Sequence, residues 1–302
     1  MRAHDILGSP PFIALGIALS RTLPTRMTYG LARWVARRMA RKEAVLYRTI
    51  KANLSHLLGP DVGPEELAQR AEGVIYGAGQ GYVDMFRTSM HDLRAGRLTV
   101  RLDPGELERA MRHIHSERGT VLVGPHISNF DLLAQWLAAQ DIDMQVLSLS
   151  EPGAGNRVLN HIRRQRHIHV TPIDTHSLRE ALARLRAGGV VVTGIDRPDA
   201  SYEECIPFFG RLARLPTGHV RLALQTDAHV LVACCYREPD GAYSIRISEP
   251  IAMERVGKRK ANVTHNARRV LAVAEKMILR APDQWMMFLP VWDTDGAPCG
   301  DD

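Results

Sequence analysis

The chain has 302 residues, 45% hydrophobic and 24% charged, an ordinary globular balance with enough apolar mass for a real core. Thirty-nine Lys and Arg against 33 Asp and Glu leave a net charge of +6, which favours an anionic partner such as nucleic acid, acidic lipid or a phosphorylated or acidic-carrier substrate. Four cysteines (Cys205, Cys234, Cys235, Cys299) lack C-x-x-C spacing, which argues against a zinc site or a disulfide frame and fits a reducing compartment.

Residues 10–19, Pro-Pro-Phe-Ile-Ala-Leu-Gly-Ile-Ala-Leu, are the first apolar run. It is about half the ~20 residues that a spanning helix needs. From Arg26 to Lys51, eight basic side chains stand against one acid, Glu43, and interleave with Met27, Leu31, Trp34, Val35, Met39, Val45 and Leu46. A basic helix with a Trp-bearing apolar stripe suits an anionic membrane interface. The same pattern fits a helix docked on the protein body with its basic face solvated.

Gly59-Pro60 and Gly63-Pro64 mark a turn, and 64–94 reads as one long helix opened by Glu65 and Glu66. Gly77, Gly79 and Gly81 within it follow no strand and miss the dinucleotide-loop spacing, so they predict close helix packing. A strand at 98–102 and a helix at 105–117 lead to the central stretch, 118–133.

Thr120–Val123 is a β-branched apolar run bounded by glycines, a buried strand. A helix begins near Asn129, with Ser128 at the expected N-cap and Asp131 at the capping-box position. His126 therefore lies between a strand's carboxyl end and a helix N-terminus, where α/β proteins place binding and catalytic groups. Asp131, five residues on, could hold one ring nitrogen so that the other serves as a general base. The helix-start amides near Asn129 would meet a developing oxyanion. The plainer reading makes Asp131 a first-turn acid and His126 a loop histidine.

Strands at 144–148, 167–173, 189–195, 229–236 and 243–247 alternate with helices at 157–166, 177–187, 217–226 and 262–280. That alternation predicts one α/β domain with a central mixed, largely parallel sheet flanked by helices. The division is a basic, amphipathic, membrane-associating helical region at 1–60 and an α/β domain at 61–302. His167 and His169 share a strand face without a third ligand, so no metal site is expected. Arg163, Arg164 and Arg166 form a basic segment suited to phosphates, Arg164 being the preferred residue. Asp196 and Arg197 close a strand at the same sheet edge, and Glu203 and Glu204, above all Glu204, could add a carboxylate to the site. Phe208, Phe209 and Trp285 read as core or tunnel wall. Without a G-x-S-x-G elbow, or a cysteine near the histidine in sequence, no nucleophile for a covalent intermediate stands out.

Several stretches together resemble the bacterial lipid A biosynthesis acyltransferases, a superfamily that also holds the phosphatidylinositol mannoside acyltransferases. They are His-Ile-Ser-Asn-Phe-Asp at 126–131, Ile-Pro-Phe-Phe-Gly-Arg-Leu-Ala-Arg-Leu-Pro-Thr-Gly at 206–218, Ala228-His229-Val230 with Tyr236-Arg237, and Pro282-Asp283-Gln284-Trp285. The resemblance implies a glycerolipid-acyltransferase-like fold with a membrane-facing N-terminal region, peripheral on the cytoplasmic face of the cell membrane. It implies transfer of a fatty acyl chain from acyl-CoA or acyl-ACP to a glycolipid hydroxyl. His126 would be the base and Asp131 its partner, with Asn129, Arg164, Asp196, Arg197 and Glu204 binding substrate. No cofactor, metal or nucleic acid is implied. A thioesterase or lipid hydrolase on the same site, and a non-catalytic lipid-binding protein, are the alternatives.

Overall fold

The computed structural model describes residues 10–164, 166–199, 201–202, 204–292 and 299. Three helices lead the chain: α1 (Pro10–Thr22), α2 (Thr25–Arg41) and α3 (Val45–Leu58). The basic segment is thus two helices, broken at Glu43, whose φ is 44°. Ala36, Tyr47, Ile50 and Leu54 of α2 and α3 are buried with Ala71, Val74 and Ile75 of α4 (Pro64–Arg87). A Cβ on Gly79 would stand 2.7 Å from that of Ala32, so only glycine lets α2 and α4 approach this closely. Asp84, buried on α4, accepts from the hydroxyls of Tyr29 on α2 and Tyr243 in the sheet, each at 2.5 Å.

Helix α4 ends earlier than the long 64–94 helix expected. Ser89 caps a separate turn, α5 (Met90–Arg94): its hydroxyl accepts from the Asp92 N–H and the Asp92 carboxylate accepts from the Ser89 N–H. A hydroxyl that bonds backbone locally competes with helix continuation.

The α/β part follows as β1 (Val100–Leu102), α6 (Pro104–Ile114), β2 (Thr120–Gly124), α7 (Phe130–Ala139), β3 (Met144–Ser148), α8 (Ala154–Arg163), β4 (Ile168–Pro172), α9 (Thr175–Arg186) and β5 (Val190–Gly194). A hairpin not foreseen from the sequence, β6 (Cys205–Phe208) with β7 (Arg211–Arg214), precedes α10 (Gly218–Thr226), β8 (His229–Arg237), β9 (Tyr243–Ile247) and α11 (Arg259–Arg280). A 3₁₀ turn at Pro282–Gln284 begins the tail.

Seven strands form one sheet in the order β1-β9-β8-β2-β5-β3-β4. All neighbours pair in parallel except β8 with β9. Period-two alternation sends Val121 and Val123 to one face, with Ala181, Leu185, Val220 and Val270 of the helices, and Leu122 to the other, with Leu132 and Leu137. Both faces are covered, so β2 is apolar throughout rather than alternating, as parallel strands are.

One expectation fails outright. Cys205 and Cys299 are joined by a disulfide, although their sequence spacing suggested none. They lie 94 residues apart in the chain, and such a pairing follows from tertiary proximity, not from a local motif. Cys234 and Cys235 are free and buried. Among the described residues, no helix is long and apolar enough to cross a membrane.

Candidate active site

β2 and β5 end in register on Gly124 and Gly194, beside each other at the carboxyl edge of the sheet. A Cβ on Gly194 would lie 2.9 Å from Cε1 of His126, so the bare backbone there makes room for the imidazole. The chain leaves β2 through Pro125 to His126, and Ser128 takes φ 47° before α7 starts. The cap of α7 is Asn129 rather than Ser128: its Oδ1 accepts from the Leu132 N–H at 3.2 Å. That bond fixes which side of the amide is oxygen and leaves the buried Asn129 Nδ2 a donor without a partner among the described residues.

His126 is held by Asp196, two residues past the end of β5. Nδ1 lies 2.5 Å from Asp196 Oδ1, and the His126 backbone N–H donates to Oδ2 at 2.8 Å. The indole N–H of Trp285 donates to the same Oδ2 at 2.8 Å. The Asp196 side chain has no exposure and that of His126 retains 26%. Burial pushes the Asp196 pKa up, but its attraction to the His126 ring and the three N–H donors outweigh it and hold the carboxyl below its usual range. A carboxylate facing Nδ1 places the ring proton there and leaves Nε2 as the acceptor.

The tail keeps this loop in place. Ser128 N–H donates to Gln284 O at 2.8 Å, Met286 N–H donates to His126 O at 2.7 Å, and Ile127 bridges Trp285 between them. The Gln284 side chain pins the tail to the end of β8, accepting from Arg237 N–H and donating to Arg237 O, both at 2.8 Å. Trp285 is buried against Phe208 of the hairpin, their rings 6.1 Å apart.

The family model of the bacterial lipid A biosynthesis acyltransferases matches residues 11–294. The chain belongs to that family. A phosphatidylinositol mannoside acyltransferase of Mycolicibacterium smegmatis (strain ATCC 700084 / mc(2)155) is 26% identical over 289 residues, covering 93% of this chain and 90% of that protein. The solved 1-acyl-sn-glycerophosphate (LPA) acyltransferase PlsC of Thermotoga maritima aligns with 84% of this chain and 98% of its own, at 15% identity and a TM-score of 0.39. At that distance the likeness says nothing of chemistry.

In this acyltransferase the carboxylate on His126 is not the one the sequence spacing offered. Asp131 turns away into an ion pair with Arg163, Nε to Oδ1 at 2.6 Å and Nη2 to Oδ2 at 3.0 Å. The first turn of α7 points its N2 side chain toward α8, and a fork-shaped guanidinium there takes both oxygens. Burial alone would lower the Arg163 pKa, and the Asp131 charge raises it above normal. Between the two pairs sits the Phe130 ring, edge-on to His126 at 4.9 Å and with the Arg163 guanidinium 5.5 Å over it.

Of the other residues singled out, Arg197 follows Asp196 and is half-buried, its pKa lowered because desolvation penalises the cation. Arg164 is directed elsewhere: its Nε donates to Val170 O at 3.1 Å, and it lines a separate cavity of about 420 Å³ against β4, the edge strand. Glu204 is buried, accepts from Thr217 Oγ1 at 3.2 Å and pairs with Arg221 of α10. Neither Arg164 nor Glu204 bonds the His126–Asp196 pair. Glu203 lies outside the described residues. The sequence placed Arg163 in a phosphate-binding segment, whereas it is the partner of Asp131, and placed Trp285 in the core, whereas its indole also donates to Asp196.

Proposed function

We propose that this acyltransferase moves a fatty acyl chain from an acyl thioester, on CoA or acyl carrier protein, to a hydroxyl of a glycolipid of the phosphatidylinositol mannoside or lipid A type. The observation that carries the reading is the His126–Asp196 pair at 2.5 Å, with Asp196 fully enclosed and the imidazole partly open. The curated relative's name supports the mannoside acceptor. His126 Nε2 takes the proton of the acceptor hydroxyl, and the oxygen attacks the thioester carbonyl carbon. The resulting oxyanion is met by the amides that open α7 and by the buried Asn129 Nδ2. As the tetrahedral centre collapses, the C–S bond breaks and the departing sulfur receives the proton from His126. Asp196 keeps the imidazole in the productive tautomer and stabilises its cation. Arg197, partly desolvated beside it, offers positive charge to a phosphate-bearing substrate.

Membrane contact belongs to the same proposal. Met27, Leu31 and the 60%-exposed Trp34 of α2, with Phe12 and Leu15 of α1, present apolar side chains to solvent beside Arg26, Arg33, Arg37, Arg38 and Arg41. That composition suits peripheral attachment to an anionic bilayer, and a donor made in the cytoplasm puts the enzyme on the cytoplasmic face. Purified protein, labelled acyl-CoA and detergent-dispersed acceptor, resolved by mass spectrometry, test the reading. The acylated glycolipid should form in preference to free acid, and His126→Ala should lower turnover about 10³-fold with the fold intact. Free fatty acid as sole product would make the protein a thioesterase. Undiminished function in His126→Ala would leave a lipid-binding protein.

A further inference from the structure

The molecule also has a basic cleft whose lining includes neither His126 nor Asp196. It lies between α3, the hairpin and the tail, encloses about 250 Å³, and is lined by Arg48, Thr49, His56, Arg211 and Trp292. We infer that this cleft is a binding site for a phosphate group, separate from the acyl-transfer centre. Among the described residues, neither Arg48 nor Arg211 has a carboxylate partner, whereas Arg221, on the helix after the hairpin, is paired with Glu204. The two cations come from different elements, one helical and one on β7, and they face one space.

The walls of the cleft are fixed before any ligand arrives. The Asn53 amide holds the tail, donating to Met287 O at 3.2 Å and Leu289 O at 2.8 Å and accepting from Val291 N–H at 3.3 Å. The His56 ring packs 4.2 Å from that of Trp292, and its Nε2 stands 3.0 Å from Phe209 O. A carbonyl only accepts, so Nε2 carries a proton. Trp292 donates its indole N–H to Phe208 O at 3.1 Å. Asn53, His56 and Trp292 have thus already met polar partners, and the two guanidinia and the Thr49 hydroxyl are left over among the described residues.

The geometry selects phosphate over carboxylate. One guanidinium fork satisfies the two coplanar oxygens of a carboxylate, as Arg163 does for Asp131. Two guanidinia from different elements lining one cavity together with Thr49 suit the tetrahedral oxygens of a phosphate mono- or diester. The ester could be a soluble compound or a lipid headgroup, since Lys51 and the exposed Val45 lie on the same helix.

Calorimetric titration with inorganic phosphate, with acetate as control, is the direct test. Saturable phosphate binding is expected, without an acetate signal, and Arg48→Gln/Arg211→Gln should weaken it at least about tenfold. Arg259→Gln/Lys260→Gln, which removes the same charge at the exposed start of α11, should leave it unchanged. Co-sedimentation with vesicles of phosphatidylcholine, whose choline cation offsets its own phosphate, with and without phosphatidylinositol, separates the sources. Loss of the phosphatidylinositol-dependent part in the Arg48/Arg211 variant identifies a headgroup; loss of phosphate binding with vesicle binding intact identifies a soluble ester. Both proteins keep the apolar side chains of α1 and α2, and Arg259→Gln/Lys260→Gln, with the same charge removed, should keep vesicle binding, so a loss confined to the Arg48/Arg211 variant reports the cleft. Equal phosphate binding by the wild type and the Arg48/Arg211 variant, an acetate signal equal to that of phosphate, or no binding of phosphate or of phosphatidylinositol vesicles beyond the phosphatidylcholine control would overturn the inference.

Discussion

Two buried acids flank the His126 loop, and their surroundings separate a pair that only holds structure from the pair that the proposed mechanism uses. Asp131 is five residues from His126 in sequence and is bound through both oxygens to Arg163. Asp196 is 70 residues away and bonds the ring and backbone of His126 together with the Trp285 indole. A guanidinium stays protonated at every accessible pH, so the Asp131–Arg163 pair can hold α7 against α8 but cannot pass a proton. An imidazole can, and a carboxylate kept ionised beside it makes Nε2 a better base. In the proposed mechanism the same residue type thus does different work according to the group that faces it.

Substituting each acid separately breaks the comparison where it is strongest. Asp196→Asn keeps the volume but removes the charge that stabilises the imidazolium, and turnover in the labelled acyl-transfer assay should fall about 10² to 10³-fold with little change in thermal unfolding. Asp131→Asn should act the other way round. Leaving the largely buried Arg163 unpaired costs on the order of 3 kcal/mol of stability, read by urea unfolding, while turnover should stay within about tenfold of wild type. A buried imidazole with no carboxylate sharpens the contrast further. His219 on α10 is enclosed with neither ring nitrogen bonded among the described residues, and burial drives its pKa down to about 4. The folded state resists a proton that the unfolded state accepts, so this group's contribution is present above about pH 6.5 and is lost as pH falls toward 4. Between pH 7 and pH 5 that loss is about 2 kcal/mol, and His219→Leu should flatten it in unfolding measured at the two pH values.

Much of the architecture was legible in the sequence, because β-branched runs closed by glycines, such as Thr120–Gly124 and Val190–Gly194, have little else to become. The placement of His126 at a strand end before a helix was legible for the same reason. The β6–β7 hairpin was not, since Pro207 and the paired Phe208 and Phe209 hide any two-residue alternation. The partner of His126 was hidden for a deeper reason. Sequence spacing offers the nearest acid, whereas the parallel pairing of β2 with β5 sets Gly124 against Gly194 and brings Asp196 under the imidazole. Trp285 could be read as core, and it is buried, but its N–H found Asp196 only because the tail folds back to bridge Ile127. The Cys205–Cys299 disulfide had no local signature at all.

The identity of the acid on His126 is best tested by proton NMR of the imidazole. A ring N–H shared with a carboxylate at 2.5 Å resonates far downfield. The account predicts one such resonance in the wild type, assigned by its absence in His126→Ala, retained in Asp131→Asn and lost in Asp196→Asn. A resonance that survives Asp196→Asn and disappears in Asp131→Asn would contradict it.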